Sequence, residues 1–189
     1  MIEDILKSTG AIKTGHFLLA SGLHSENYFQ AQSMLQYPEY ASQTGKEIAA
    51  LWKNENIDVV VSLAIGGIII GQEIAKHLGV RHVFLERKNN IFSLERGFRL
   101  APGEKILLAE DVITTGGSLK EIFPLLKKLE TDIIGITSIV LRSNAEFSVP
   151  FKFLHKINWP AYNPEECPLC KKGIPLYVPG TKQSKNSSE

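Results

Sequence analysis

Two hydrophobic patterns alternate along this chain of 189 residues. Short continuous apolar runs are typical of buried strands, and between them apolar residues recur at helical spacing. The runs predict strands at 58–64, 81–87, 106–109 and 132–141, and the helical spacing predicts helices at 37–54, 67–78 and 120–129. Because strands and helices alternate, the pattern favours an α/β fold with a mostly parallel sheet covered by helices.

The two ends of the chain and one internal segment follow other patterns. Residues 2–8 predict a short amphipathic helix, and the following GHFLLASGLHSENYFQ predicts two short strands joined by a Ser-Gly turn. Residues 88–102 have no clean period, which indicates an excursion or a hairpin. PFKFLHKINW, at 150–159, predicts a last strand on an edge of the sheet.

Composition narrows the class of protein. A hydrophobic content of 43% suits one domain over residues 1–180, followed by a polar tail at 181–189 that we expect to be flexible. A net charge of +1 gives no electrostatic reason to expect nucleic acid or a membrane as a partner. The longest apolar run is too short to span a bilayer, and MIEDILKST has acids where a signal peptide would be basic. We therefore expect a cytoplasmic protein.

The segment with the densest group of candidate functional residues is KILLAEDVITTGGSL, residues 105–119. Glu110 and Asp111 follow an apolar strand, at the edge where open α/β sheets bind ligands. The turn that comes next offers hydroxyls and backbone N–H groups at a helix N-terminus, which suits a phosphate; it contains Thr114, Thr115, Gly116, Gly117 and Ser118. The alternative is an ordinary capped helix. A Walker A loop is excluded because the turn lacks Gly-Lys-Ser or Gly-Lys-Thr.

A second turn and a pair of cations could complete an anion site. A strand runs directly into a turn whose backbone N–H groups could bind a diphosphate; the turn comprises Ala64, Ile65, Gly66 and Gly67. Tight strand-to-helix packing would explain the double glycine equally well. Arg87 and Lys88 end the next strand and could neutralise a diphosphate, unless they form an exposed basic pair.

Three further side chains have open assignments. Arg142 follows an apolar strand, and its planar fork suits a carboxylate ligand. Cys167 and Cys170 occur in Cys-Pro-Leu-Cys and are the two cysteines of the chain. A closed zinc site needs four ligands, so one chain cannot supply a site made of cysteines alone. Packed thiols in a turn are favoured over a metal or redox pair, which a second chain could complete.

The acid pair and the Thr-Thr-Gly turn together resemble the phosphoribosyl pyrophosphate signature of the type I phosphoribosyltransferases. The resemblance implies that Glu110 and Asp111 hold the ribose hydroxyls, residues 114–118 the 5′-phosphate, and residues 64–67 the pyrophosphate. It also implies a central, mostly parallel sheet with a small hood, built from the N-terminal segment and the C-terminal segment, over the carboxyl ends of the strands. Mg²⁺ would bind mainly through phosphoribosyl pyrophosphate, with no firm protein ligand.

The N-terminal segment is similar to the orotate branch of that family. Gly15-His16-Phe17, Ser21-Gly22, Ser25 and Tyr28-Phe29 follow its pattern, in which the Tyr-Phe pair lines the base site. Arg142 falls where that branch has an arginine for the orotate carboxylate, and the Cys-Pro-Leu-Cys ending is similar to a short bacterial subgroup. The resemblance implies a homodimer that makes orotidine 5′-phosphate and pyrophosphate in pyrimidine biosynthesis, with Asp111, Glu110 and Lys88 as catalytic residues.

The chain departs from the family at several positions. His24 and Gly66 stand where most members have lysines, and Ile91 and Ser93 stand where a mobile loop has a lysine and a histidine. Lys88, Arg96, Arg99 or His24 would then supply the missing charge. Two alternatives stay open on sequence grounds. One is a transferase for a purine or another base, and the other is a regulator that senses phosphoribosyl pyrophosphate and binds nucleic acid.

Overall fold

The structure is a computed structural model that describes residues 2–19, 21–142 and 145–179. The helices in these ranges are α1 (Ile2–Ser8), α2 (Gln32–Leu35), α3 (Pro38–Leu51), α4 (Gly67–Leu78), α5 (Gly117–Lys128), α6 (Pro168–Lys171) and a 3-10 turn, Pro164–Glu166. The strands are β1 (Ile12–Leu18), β2 (His24–Phe29), β3 (Val59–Leu63), β4 (Arg81–Lys88), β5 (Ile91–Leu94), β6 (Lys105–Ile113), β7 (Asp132–Leu141) and β8 (Phe151–Lys156). The tail predicted at 181–189 lies outside the described residues.

A six-stranded sheet in the order β5-β4-β3-β6-β7-β8 forms the centre of the molecule. All neighbouring strands are parallel except β4 and β5, which form a hairpin. The predicted α/β class is therefore confirmed, and β8 lies on an edge as expected. None of the described helices combines the length and the apolar character needed to cross a bilayer.

Both faces of the sheet are buried, which explains why its strands are continuous apolar runs. Successive residues of β6 enter different cores: Leu107 and Ala109 pack on one face, and Ile106 and Leu108 pack on the other. The α3 and α4 helices cover the first face, and α5 covers the second. Helices thus pack on both faces of the sheet and hold the ends of its strands in place.

The segment without a clean period contains a tight hairpin. Lys88 of β4 pairs with Ile91 of β5. Asn89 and Asn90 between them both have positive φ, at 50° and 64°. A two-residue turn of this kind matches the right-handed twist of the strands that it joins, and asparagine tolerates its backbone conformation. Of the two forms expected for residues 88–102, the hairpin is the one observed.

A small second sheet lies beside the main one. It consists of β1 and β2, paired antiparallel as predicted from the alternating N-terminal segment. The C-terminal segment binds to it through its backbone: Leu18 N donates to Tyr177 O at 2.9 Å, and Tyr162 N donates to His24 O at 2.8 Å. The two ends of the chain therefore form one substructure.

The end of β6 and the short α2 helix were not predicted from the sequence. The β6 strand continues to Ile113 because Val112 and Ile113 pair with Val140 and Leu141 of β7. The acids Glu110 and Asp111 therefore lie within the last residues of the strand, not after its end. The α2 helix, at Gln32–Leu35, was not predicted. It is a single turn, too short to show a helical period.

Candidate functional site

A cavity of about 450 Å³ opens at the carboxyl ends of β3, β4 and β6. It is the edge at which the sequence predicted a ligand. The predicted residues at the cavity wall are Ala64, Gly66, Arg87, Glu110, Asp111, Thr114, Thr115, Gly116, Gly117 and Ser118. The structure thus brings the acid pair, the double-glycine turn and the hydroxyl-rich turn to one place.

Asp111 and Glu110 form the floor of this cavity. Asp111 is 9% exposed; its Oδ2 accepts a hydrogen bond from Gln32 Nε2 at 3.1 Å, and its Oδ1 accepts one from Val112 N at 2.7 Å. Glu110 Oε1 is buried and has no hydrogen-bond partner among the described residues. Burial raises the pKa of both carboxyl groups, and the charge of Asp111 raises the pKa of Glu110 further. The pair is suited to accept hydrogen bonds from a ligand or to face a cation.

The double-glycine turn approaches the acids more closely than any side chain would permit. A Cβ atom on Gly66 would lie 2.8 Å from Asp111 Oδ2, and one on Gly67 would lie 3.1 Å from Ala109 O. The peptide bond between Ala64 and Ile65 in the same turn is cis. Since α4 begins at Gly67, free N–H groups of a helix N-terminus lie beside the carboxylates.

The hydroxyl-rich turn is held by an aromatic side chain. Gly116 has φ 73° before the first residue of α5, and a Cβ atom there would lie 2.5 Å from Phe147 Cζ. Thr114 and Thr115 are exposed on the cavity side of this position. Phe147 therefore fixes the backbone of the turn, while hydroxyls and the first N–H groups of α5 remain available for an anion.

The two predicted cations at the end of β4 have different surroundings. Arg87 lines the cavity, and its guanidinium donates to both oxygens of Glu121 on α5, at 3.0 and 2.8 Å. It also lies 4.1 Å from the centre of the Phe92 ring. Lys88 has a side chain that is 69% exposed, with Nζ 3.7 Å from a carboxylate oxygen of Glu95. Arg87 is thus held by Glu121 and Phe92, whereas the more exposed Lys88 makes one longer contact with Glu95.

Arg142 and Tyr28 form a third part of the site, next to the acids. Arg142 is half-buried, and its guanidinium lies 5.5 Å from the centre of the Trp159 ring. No carboxylate pairs with it within the described part of the chain. Burial lowers the pKa of Arg142, and Tyr28 opposes this change. Burial and then Asp111 raise the pKa of Tyr28, so Arg142, Tyr28 and Asp111 lie within electrostatic reach of one another.

Other predicted residues lie away from the cavity. Phe29 is 3% exposed and packs in the core, and His24 is 5% exposed beside His16 and the two cysteines. Arg96 pairs with Glu86 on the hairpin. Arg99 lies with Arg81 at a depression of about 540 Å³ near the opposite edge of the sheet, where no acid lines the wall.

Gln32 and Trp159 are among the residues of the site that the sequence analysis missed. Gln32 orients Asp111 from the one-turn helix α2, and Trp159 covers Arg142 from the segment after β8. Neither belongs to a motif or to a periodic element, so nothing local in the sequence distinguishes them from ordinary loop residues.

Comparison with known proteins gives consistent matches. The family model described as a phosphoribosyl transferase domain matches residues 36–163. The orotate phosphoribosyltransferase of Thermotoga maritima is 45% identical over 184 residues, which are 96% of this chain and 98% of that protein. The structure of orotate phosphoribosyltransferase from Aeropyrum pernix has a TM-score of 0.69 at 20% identity, covering 83% of this chain and 94% of that one. Leishmania donovani UMP synthase has a TM-score of 0.71 at 18% identity, and the match covers 82% of this chain and 36% of that longer chain.

Proposed function

This chain belongs to the phosphoribosyltransferase family, and from that premise we propose that its cavity binds phosphoribosyl pyrophosphate and orotate and transfers ribose 5-phosphate between them. The activity is that of an orotate phosphoribosyltransferase, a pentosyltransferase of pyrimidine biosynthesis. One observation carries the assignment of the site. The buried acid pair, the double-glycine turn and the hydroxyl-rich turn line one cavity, as a donor with a ribose, a diphosphate and a phosphate requires.

The donor would be held along the cavity by groups of matching charge. Glu110 and Asp111 would accept hydrogen bonds from the ribose hydroxyls, because Glu110 Oε1 has no partner among the described residues. The turn at 114–118 would bind the 5′-phosphate with hydroxyls and N–H groups. The turn at 64–67 and Arg87 would face the diphosphate, with Lys88 adding charge from the hairpin.

The donor set also fits Mg²⁺, the cation that the family resemblance implies. Two buried carboxyl groups whose pKa values are raised by burial face the cavity, and hard oxygen ligands of this kind suit Mg²⁺. We propose that Glu110 and Asp111 hold the cation mainly through the hydroxyls and diphosphate of the donor. When bound, Mg²⁺ would neutralise charge on the leaving diphosphate.

The transfer step requires that orotate be positioned and that the charges developing on the ribose and the leaving group be stabilised. Arg142 would bind the carboxylate of orotate and Tyr28 would flank its ring, which directs a ring nitrogen at the anomeric carbon. The bond from nitrogen to that carbon forms as the bond from carbon to the pyrophosphate oxygen breaks. Positive charge developing on the ribose would be stabilised by Glu110 and Asp111, and negative charge on the leaving group by Arg87 and Lys88.

The family resemblance implies a homodimer, whereas the expected location and partners rest on the sequence and its net charge. We propose a homodimer in the cytoplasm that binds no nucleic acid. Two exposed apolar side chains next to the cavity would contact the second subunit of this dimer: Ile65 is 81% exposed and Ile91 is 69% exposed. Sedimentation equilibrium should give twice the mass of one chain, and a monomer at all concentrations would contradict the dimer.

Loss of orotate absorbance in the presence of phosphoribosyl pyrophosphate and Mg²⁺ tests the proposed reaction. Asp111→Asn should reduce kcat roughly 100-fold or more, since it removes a charge next to the reacting carbon. Asp132→Asn is the matched control, because Asp132 is exposed at the start of β7. Turnover of a purine in place of orotate would overturn the acceptor, and full activity of Asp111→Asn would overturn the site.

A further inference from the structure

Four side chains from opposite ends of the chain converge next to the small sheet. His16, His24, Cys167 and Cys170 each direct one donor atom into a volume in which all four atoms lie within 4.8 Å of one another. His16 Nε2 is 3.0 Å from His24 Nδ1 and 3.5 Å from Cys167 Sγ. Cys170 Sγ is 3.3 Å from His24 Nδ1 and 3.7 Å from His16 Nε2.

These separations match the ligand shell of a tetrahedral zinc ion. With Zn–N near 2.0–2.1 Å and Zn–S near 2.3 Å, tetrahedral geometry places N and N about 3.3 Å apart and N and S about 3.6 Å apart. The four separations given above fall within about 0.3 Å of these values. Two thiols and two imidazoles in tetrahedral arrangement form a donor set that is typical of structural zinc sites.

The hydrogen bond on the far side of His16 supports a ligand role. His16 Nδ1 lies 2.7 Å from Ile174 O. A carbonyl oxygen only accepts, so Nδ1 must carry the proton and Nε2 presents its lone pair to the cluster. Metal-binding histidines are commonly oriented by a hydrogen bond from the other ring nitrogen to a carbonyl or carboxylate oxygen.

The fold builds this cluster from two local arrangements. His24 pairs with Leu18 across the β1–β2 hairpin, and His16 lies two residues before Leu18, where the pairing register of the hairpin shifts. The centres of the two imidazole rings are 4.8 Å apart. Cys167 precedes the α6 helix and Cys170 lies within it, and a spacing of three residues puts both thiols on one side of a helical turn. The expectation of two packed thiols is therefore incomplete, because two imidazoles from the same chain lie against them.

We propose that His16, His24, Cys167 and Cys170 form a structural zinc site that fastens the C-terminal segment to the β1–β2 hairpin. His16, His24 and Cys167 are at most 5% exposed, and four protein ligands leave no open position for a substrate. The same junction contains the backbone bonds from Leu18 to Tyr177 and from Tyr162 to His24. Zinc would thus stabilise the hairpin that carries Tyr28, without taking part in the transfer reaction.

Metal content of the full chain, purified under reducing conditions without chelators, tests this site. Mass spectrometry should find about one zinc ion per chain, and Cys170→Ser and His24→Ala should each hold almost none. His77→Ala is the matched control and should keep its zinc. Its imidazole contacts Ser42 on α3, far from the cluster in sequence and in a different element.

Cobalt gives a second measurement on the wild-type chain, which does not depend on the folding of any variant. Co²⁺ added after removal of zinc should produce the strong visible bands of tetrahedral coordination and a thiolate-to-cobalt charge-transfer band, both lost when zinc is returned. Chelation should also lower the thermal midpoint of the wild-type chain but not that of Cys170→Ser. A reduced wild-type chain that contains no zinc and shows no cobalt bands would overturn the proposal, as would a Cys167–Cys170 disulfide whose reduction restores no metal binding.

Discussion

Arg142 shows how one residue can indicate the acceptor. A half-buried cation is costly unless a negative group compensates it, and no carboxylate does so within the described part of the chain. The centre of the Trp159 ring lies 5.5 Å from the Arg142 guanidinium, and Tyr28 lies within electrostatic reach of it. A planar anion such as the orotate carboxylate would supply the missing partner.

Arg142→Ala should therefore raise KM for orotate far more than KM for phosphoribosyl pyrophosphate. Loss of a hydrogen-bonded charge pair is worth about 1.5–3 kcal/mol, so we expect an increase of roughly 10-fold to 100-fold. Steady-state kinetics with each substrate varied in turn measures the two constants. Arg81→Ala, which removes an exposed arginine paired with Glu104, should change neither. Equal increases in both constants would remove the argument for Arg142 as the orotate ligand.

At the scale of elements, the position of α3 on the sheet depends on one glycine. Trp52 directly follows α3 and is completely buried. A Cβ atom on Gly135 of β7 would lie 2.1 Å from Trp52 Cη2, so the ring packs directly on the strand backbone. Contact with a side chain at this position would push the end of α3 away from β7.

Gly135→Ala should lower the free energy of unfolding by about 1–3 kcal/mol, the usual cost of overpacking a rigid core. Chemical denaturation of the purified variant measures the change. Trp52→Phe provides the control, because the smaller ring leaves room for the added methyl group. In that background Gly135→Ala should cost clearly less. An equal cost in both backgrounds would show that the clash is not the cause.

At the scale of the whole molecule, groups whose pKa values are shifted by burial affect how the free energy of unfolding changes with pH. His82 on β4 shares a hydrogen bond of 2.8 Å with Ser62 of β3, and burial lowers its pKa from 6.5 to about 4. Burial has the opposite effect on the pKa values of Glu110 and Asp111. The folded state thus binds protons less readily than the unfolded state at His82, and more readily at the acid pair.

His82 should make the folded state less stable in acid. The stability that neutral His82 gives the folded state is fully present above pH 6.5. It is lost as the pH falls from 6.5 towards about 4, because the histidine of the unfolded chain takes up a proton first. His82→Gln removes this titration, so its thermal midpoint should fall less than that of the wild-type chain over the same range. Calorimetry at several pH values measures both curves. Parallel curves would contradict a neutral, half-buried His82.

The sequence alone determined the α/β class, the helix at 67–78, the strand at 132–141 and a contiguous motif that joins an acid pair to a hydroxyl-rich turn. These features are local: a buried strand or an amphipathic helix leaves a short repeating pattern, and the motif residues are contiguous. The extended end of β6 is a case in which pairing with distant residues decided the local structure, whereas the missed one-turn helix is too short to show a helical period.

Only the tertiary structure decided which distant side chains meet. It brought Gln32 to Asp111 and Glu121 to Arg87, buried Phe29, and placed His16 and His24 against Cys167 and Cys170. Such contacts follow from hairpin register and from the packing of elements far apart in the chain, which leave no period or spacing in the sequence. The contiguous motif at 105–119 was therefore visible from sequence, whereas the four-residue cluster that joins the β1–β2 hairpin to the C-terminal segment was not.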